Sequence, residues 1–340
     1  LVLSGEAIFF LPFVLPRIFR PTILEVFQIT NFELGAMFSA YGVVAMASYF
    51  LGGPLADRYP ARNLMSLALV ATGVGGIAMA MIPSVPVLTL IYAFWGLTTI
   101  LLFWSALIRA TREWGGTSEQ GKAFGILEGG RGLSAALIAT VGVTTLSYLL
   151  PENVGSTTDK VRIESFQYVI LMFSAVTFLT AIIVWFAIPS KRVKGERSFF
   201  KDLDGVKRIV KMPVVWLQAI IIICGYVGYK ITDDFPLYAT DVLGYDEVVS
   251  AGVGALGLWV RPVISVTAGI LADRFLSSRM LIISFIILTI GSLLAGLGIF
   301  KTGILFPFII MFLCVATGVN AVRTLYYAIM EEAKIPFALT

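Results

Sequence analysis

The stretch Gly53-Pro54-Leu55-Ala56-Asp57-Arg58 returns 216 residues later as Gly269-Ile270-Leu271-Ala272-Asp273-Arg274. Each copy closes an apolar run long enough to cross a bilayer. Each is followed by a further basic residue, Arg62 or Arg279, and then by another apolar run. A membrane half repeated in parallel implies two helical bundles related by an axis along the membrane normal. Such bundles rock against each other around a midplane site.

Composition agrees. The chain is 58% hydrophobic and 14% charged, with a mean hydropathy of +0.91, far from the balance of a soluble domain. Cys224 and Cys314 fall within apolar runs and read as small buried hydrophobes rather than a disulfide framework. There is no His, so proton coupling would need carboxylates. No nucleophile–base pair, metal-ligand cluster or Gly-rich phosphate loop stands in soluble context, so the chain does not read as an enzyme. No cofactor, metal or nucleic acid is expected.

Apolar runs of about 18 to 25 residues give candidate spans. Ten lie near 1–20, 35–53, 64–82, 87–108, 123–147, 165–188, 213–237, 248–270, 279–299 and 303–330. No small-residue cleavage site follows the first run, which reads as a helix rather than a signal peptide. The fold expected is all-α: a six-helix bundle over 1–190, a cytoplasmic linker over 191–212 and a second bundle over 213–340. The repeat offset places the counterpart of the fifth run near residue 340. Two further helices are thus expected outside this chain, leaving an apolar face of the seventh to tenth runs uncovered.

Loops on the motif side carry Arg58, Arg62, Arg109, Arg112, Lys122, eight basic residues from Lys191 to Lys211, Arg274, Arg279 and Lys334. The opposite loops carry Lys160, Arg162 and Lys301. The positive-inside rule puts the motif side and both ends in the cytoplasm, with the chain a monomer in an inner membrane. From Ser198 to Lys211, Phe199, Phe200, Leu203, Val206 and Val210 recur at helical spacing among Lys201, Lys207, Arg208 and Lys211. That pattern predicts an interfacial helix on the inner leaflet.

Both motif copies resemble the loop signature of the major facilitator superfamily, G-x-L-A-D-R-x-G-[RK]-[RK], between the second and third helices and again between the eighth and ninth. The chain departs from it at Pro60, at Leu276 and in the late placing of Arg279. The resemblance implies a twelve-helix transporter fold. It also implies that Asp57, Arg58, Arg62, Asp273 and Arg274 belong to a cytoplasmic lock. Asp57 would then face a helix beyond this chain and Arg109 or Arg112, and Asp273 the start of the fifth helix. Trp114 to Leu133, with Glu119-Gln120-Gly121-Lys122-Ala123-Phe124-Gly125 and Gly129-Gly130-Arg131-Gly132, is similar to the same region of the organophosphate:phosphate antiporters and their sugar-phosphate-sensing relatives. Those transporters grip phosphate with an Arg in each of helices one and seven. Here the corresponding runs hold Arg17 and Lys230.

Charges within the spans point the same way. Each costs roughly 2.5 to 3.5 kcal/mol in mid-helix and needs a partner or a watery cavity. Glu128 and Arg131 are three apart and can pair, as can Lys230 with Asp233 or Asp234. Arg20, beside Pro21, is expected to snorkel to the outer interface. Arg17, Arg261 and Arg323 have no carboxylate three or four positions away. They are expected to converge on one cavity holding a small anionic metabolite, because a guanidinium cannot deprotonate and its planar fork suits phosphate, sulfonate or carboxylate. Pro12 and Pro16 break the helix before Arg17. Lys230, Asp233, Tyr229, Asn320 and Tyr326 complete the candidate substrate site, with Trp104, Tyr226 and Tyr327 as further aromatic lining. Glu6, Glu128 and Arg131 are candidates for coupling to an ion or counter-anion.

The sequence therefore reads as a secondary transporter for a small organic anion such as a sugar phosphate or sulfonated sugar. The alternatives are a proton-coupled permease for a neutral sugar or drug, with Glu6 or Asp233 as carrier, and a membrane-bound metabolite sensor.

Overall fold

A computed structural model describes residues 1–116, 120–151, 158–190, 211–297, 305–326 and 329, and every regular element among them is helical. The expected interfacial helix and Tyr327 lie outside the described residues. Two compact units result: Leu1–Arg197 with Asp246–Ala255, and Ser198–Tyr245 with Leu256–Thr340.

The first apolar run is not one continuous helix. It divides into α1 (Val2–Ala7), a wide π turn at Phe10–Val14, α2 (Leu15–Ile18) and α3 (Arg20–Val26). Pro12, Pro16 and Pro21 each remove a backbone donor and crowd the preceding turn, and Phe19 leaves helical geometry at φ −103° and ψ 35°. Phe10, Leu11, Leu15, Ile18 and Phe19 are fully buried, so this broken segment forms the axis of the first unit. Packed around it are α4 (Asn31–Arg58), α5 (Ala61–Ala80), α6 (Val85–Gly96), a second π stretch at Leu97–Trp104, α7 (Ser105–Gly115), α8 (Gln120–Leu149) and α9 (Asp159–Ala187). A capping box starts α4: the Thr30 hydroxyl accepts from the Glu33 amide, and Glu33 accepts from the Thr30 amide.

The second unit holds α10 (Pro213–Ile231), a short turn at Thr232–Asp234, α11 (Phe235–Asp241), α12 (Glu247–Phe275), α13 (Ser277–Gly296) and α14 (Leu305–Leu325). The opening turns of α12 count with the first unit. Among the described residues, nine uninterrupted stretches are long and apolar enough to cross a membrane; the broken first run is the tenth expected from sequence. Ile220, Ile223, Val263, Val266, Ile282 and Ile286 on α10, α12 and α13 are exposed. A lipid bilayer covers surface of this kind. Cys224, expected to be buried, is also exposed on α10, whose apolar run serves the surface as well as the core.

Helices approach closely where side chains vanish. A Cβ on Gly96 would lie 2.7 Å from the Tyr41 carbonyl oxygen of α4, and one on Gly318 would lie 2.7 Å from the Leu288 nitrogen of α13. Between α12 and α13, Leu276 adopts φ 75° and ψ 131°, a conformation nearly reserved for Gly. It is one of the positions where the second motif copy departs from the superfamily signature.

Gly96→Val and Gly318→Val should each cost about 1–3 kcal/mol through overpacking against backbone. Gly42→Ala, which meets open space, should change little. Leu276→Gly should raise the thermal midpoint by relieving about 1–3 kcal/mol of backbone strain. Unfolding in detergent followed by intrinsic fluorescence measures all four.

Candidate substrate and coupling sites

In the first unit, α1 and α8 meet at small residues. A Cβ on Gly5 would come within 3.1 Å of the Arg131 side chain, and one on Gly130 within 2.4 Å of Val2. That closeness lets Arg131 Nε donate to the Gly5 carbonyl at 2.9 Å and lie 3.0 Å from a carboxylate oxygen of Glu6. A second guanidinium nitrogen bonds Glu128 at 2.5 Å. The cation also sits 5.6 Å from the Phe9 ring centre and 5.3 Å from that of Trp104. Glu6 and Arg131 are buried, whereas the Glu128 side chain is half exposed. One guanidinium thus answers two carboxylates, and desolvation makes the Glu6–Arg131 contact costly to break from either side.

Aromatic groups adjoin this cluster. Phe9 lies 6.1 Å from Phe13 and 6.0 Å from Trp104. Phe13 stacks on Phe38 at 5.8 Å and meets Tyr41 edge-on at 4.7 Å. Tyr41 and Thr99 share a buried hydrogen bond of 2.7 Å. Both π turns contribute to this group, Phe13 from one and Thr99 and Trp104 from the other, as expected of wide turns that re-aim side chains. Arg17 is buried in α2. Arg20 is buried as well, and its Nε donates to Asn31 at 2.8 Å. The snorkelling expected of it gives way to a tie between α3 and α4.

In the second unit, α10 and α14 bring Arg323 face-on to Tyr229, 3.8 Å from its ring centre, with Tyr226 at 5.6 Å. Tyr226 adjoins Tyr229 and Tyr326 at 6.4 and 6.3 Å. Gln218 donates to the Tyr326 carbonyl, a buried polar contact that no local spacing signals. Lys230 pairs with Asp233 at 2.5 Å, as the spacing predicts. Asn320 is buried and donates to the Ala316 carbonyl of its own helix. Arg261 is buried in α12 beside Pro262. Arg323, Tyr226, Tyr229 and Tyr326 thus form one group and Glu6, Glu128 and Arg131 another, with Arg17 and Arg261 each buried in its own unit.

The motif residues close their helices: Asp57 and Arg58 end α4, and Asp273 and Arg274 lie in the last turn of α12. Arg109 donates to the Ala56 carbonyl and pairs with Glu113 at 3.2 Å. It thus binds the end of α4 through backbone next to Asp57, because the carbonyls of a final helical turn lack intrahelical donors. Arg62 lies over Trp185 at 4.7 Å, Arg274 lies over Phe275 at 5.5 Å, and Arg58 and Arg112 are exposed. Sequence reading missed the contacts of Thr22, Glu25, Arg162 and Glu247, which are joined only by the fold.

Residues 2–334 match the family model of the Major Facilitator Superfamily. Inner membrane protein YqcE of Escherichia coli (strain K12) is 28% identical over 229 residues, which are 66% of this chain and 52% of that protein. Inner membrane protein YihN of the same organism is 25% identical over 298 residues, 85% of this chain and 68% of that one. The probable nitrate/nitrite antiporter NarK1 of Thermus thermophilus is 25% identical over 255 residues, 71% and 53% of the two chains. The chain spans about half the length of YqcE and NarK1. Among solved structures, the nucleoside transporter NupG aligns with a TM-score of 0.68 at 12% identity, covering 99% of this chain and 83% of that one. A bacterial homologue of the human lysosomal transporter Spinster aligns at 0.65 and 16% identity, covering 99% and 75%.

Arg131→Gln should destabilise the protein by about 3–5 kcal/mol, because it removes the cation facing the buried Glu6, and Glu6→Gln should cost less, because Arg131 keeps Glu128 and the Gly5 carbonyl. The double variant should lose less than the sum. Thermal unfolding of the four proteins in one detergent gives the coupling energy.

Proposed function

The chain belongs to the Major Facilitator Superfamily, and on that premise we propose that it is a secondary transporter for a small organic anion, moved across an inner membrane by alternating access. The observation that carries the reading is the stacking of Arg323 on Tyr229. Stacking engages the flat face of the guanidinium, whereas its N–H donors lie in the plane of the group, where a phosphate, sulfonate or carboxylate takes them in pairs. The aromatic faces hold the guanidinium in position.

Arg17, buried in α2, and Arg261, buried within the apolar span of α12, are the further anion ligands of this reading. Lys230 with Asp233, Asn320 and Tyr326 serve as polar lining. Sugar phosphates and sulfonated sugars fit the combination of cationic forks with Tyr226, Tyr229 and Tyr326, since aromatic faces suit the C–H faces of a sugar. Nitrate and nitrite, for which the NarK1 relative is a probable antiporter, are small anions too, which supports the class and not the compound. Asp57, Arg58, Arg62, Arg109, Arg112, Asp273 and Arg274 act at the cytoplasmic lock, with both chain ends on that side.

Proton-coupled transport of a neutral substrate is favoured by one observation, the surplus of carboxylate in Glu6–Arg131–Glu128. On that reading Glu6 carries the proton, and Arg131 shifts its pairing to Glu128 as it does so.

A thermal-shift screen of the purified chain against organic phosphates, sulfonates, carboxylates and neutral sugars tests the proposal. Anions should raise the midpoint and neutral sugars should not. Arg17→Gln and Arg323→Gln should each weaken the binding of the best anion by about 10- to 100-fold, the scale of one or two charge-assisted hydrogen bonds. Accumulation of that anion in liposomes should fall in parallel. A shift by neutral sugars alone, with uptake driven by an inward proton gradient and lost in Glu6→Gln, would install the second reading instead.

A further inference from the structure

Wide helical turns bonded from i to i+5 are rare and usually short, yet the π stretch Leu97–Trp104 lasts eight residues. A chain of buried hydroxyls stands at its head. Each hydroxyl has one proton to give. Thr99 gives its proton to the Trp95 carbonyl at 2.6 Å, so the 2.7 Å bond between Thr99 and Tyr41 is donated by Tyr41 of α4. Thr98 reaches the same carbonyl at 3.3 Å and pairs with Thr72 of α5 at 2.7 Å. The Trp95 indole N–H donates in turn to the Thr72 carbonyl at 3.1 Å. Thr72, Thr98, Thr99 and Trp95 are buried at or near completeness. Hydroxyls that bond back to a carbonyl three or four residues earlier compete with the backbone ladder and distort it, and here two of them converge on one carbonyl. Gly52 of α4 leaves room for the wide turns: a Cβ there would lie 3.3 Å from the Ile100 carbonyl oxygen and 3.4 Å from that of Leu101.

The stretch joins two ends of the first unit. Trp104, its last residue, lies 6.0 Å from Phe9 and 5.3 Å from the Arg131 guanidinium. Beyond it, Arg109 of α7 binds the Ala56 carbonyl beside Asp57. An i+4 turn closes with one residue fewer than an i+5 turn, and one residue of α-helix is about 100° of rotation and about 1.5 Å of rise. Conversion of the stretch to α-helix on a fixed α6 therefore brings Phe103 to the place of Trp104 and Ile108 to the place of Arg109.

We propose that Tyr41 and Thr99 are positioning residues whose hydroxyl bond holds the wide register, setting Trp104 on Arg131 and Arg109 on the end of α4, and that its release turns α7 by one residue and withdraws both contacts together. The Glu6–Arg131–Glu128 cluster and the motif end of α4 are thereby linked along a single helix, whichever substrate the protein carries. The link is finely poised, since one buried hydrogen bond changes the ratio of two such states by about 2- to 12-fold.

Fluorine NMR of the full chain in nanodiscs, with fluorotryptophan at its six tryptophans, tests the proposal. Trp104→Phe and Trp185→Phe identify the resonances of those two positions. Tyr41→Phe should displace the Trp104 resonance toward a second position. Thr99→Val should displace it further, because it breaks the bonds to both Tyr41 and Trp95. Thr99→Ser, which keeps the hydroxyl, should leave it in place, and the Trp185 resonance should stay fixed throughout. Deleting Leu102 in the Thr99→Val protein should return the Trp104 resonance to its original position, because a stretch one residue shorter joins the same two ends as plain α-helix. A packing defect would be worsened by that deletion rather than cured. A Trp104 resonance unmoved by Tyr41→Phe or Thr99→Val, displaced by Thr99→Ser as by Thr99→Val, or still displaced after the deletion would each overturn the proposal. No substrate is needed, so its failure leaves the anion reading standing, and absence of anion binding leaves these resonances untouched.

Discussion

A charge or backbone polar group that faces hydrocarbon cannot rely on water, and most of what the structure does follows from that. Hydrocarbon offers no hydrogen bonds, so polypeptide crosses it as helix or closed barrel, and every regular element among the described residues is helical. Hydroxyls within the spans turn back to their own helices: Ser48 donates to Val44, Thr140 to Ala136 and Ser174 to Ile170. Where one helix must touch another, hydroxyls pair across the gap, as Thr72 does with Thr98 at 2.7 Å.

The same constraint sorts the arginines. A guanidinium cannot shed its proton, so each must be answered in kind. Arg131 is answered by carboxylates and a carbonyl, Arg20 by an amide oxygen, and Arg109 by the end of a helix together with Glu113. Arg323 is met by the aromatic faces of Tyr226 and Tyr229.

Packing gives these answers their geometry. Gly5 and Gly130 bring α1 and α8 close enough for Arg131 to reach the backbone of α1. Gly96 allows α6 to lie on the backbone of α4 immediately before the π stretch that carries Thr99 and Trp104. The broken first run is costly in backbone hydrogen bonds, and it persists because surrounding helices bury most of it.

The sequence by itself determined the spans, the repeated motif, and the pairs Glu128–Arg131 and Lys230–Asp233. Each of these depends on hydropathy over a window or on neighbours three residues apart, which helical geometry fixes wherever the helix stands. The breaks at Pro12 and Pro16 were legible for the same reason, since proline acts on its own turn. The environment of Arg20, the reach of Glu6 to Arg131 and the stacking of Arg323 on Tyr229 were not. Nor was the meeting of Thr22, Glu25, Arg162 and Glu247. Their partners lie between 11 and 225 positions away, and which face of one helix meets which face of another depends on side-chain volumes along the whole contact. Hydropathy shows that a charge within a span must be answered; only the packed helices decide which residue answers it.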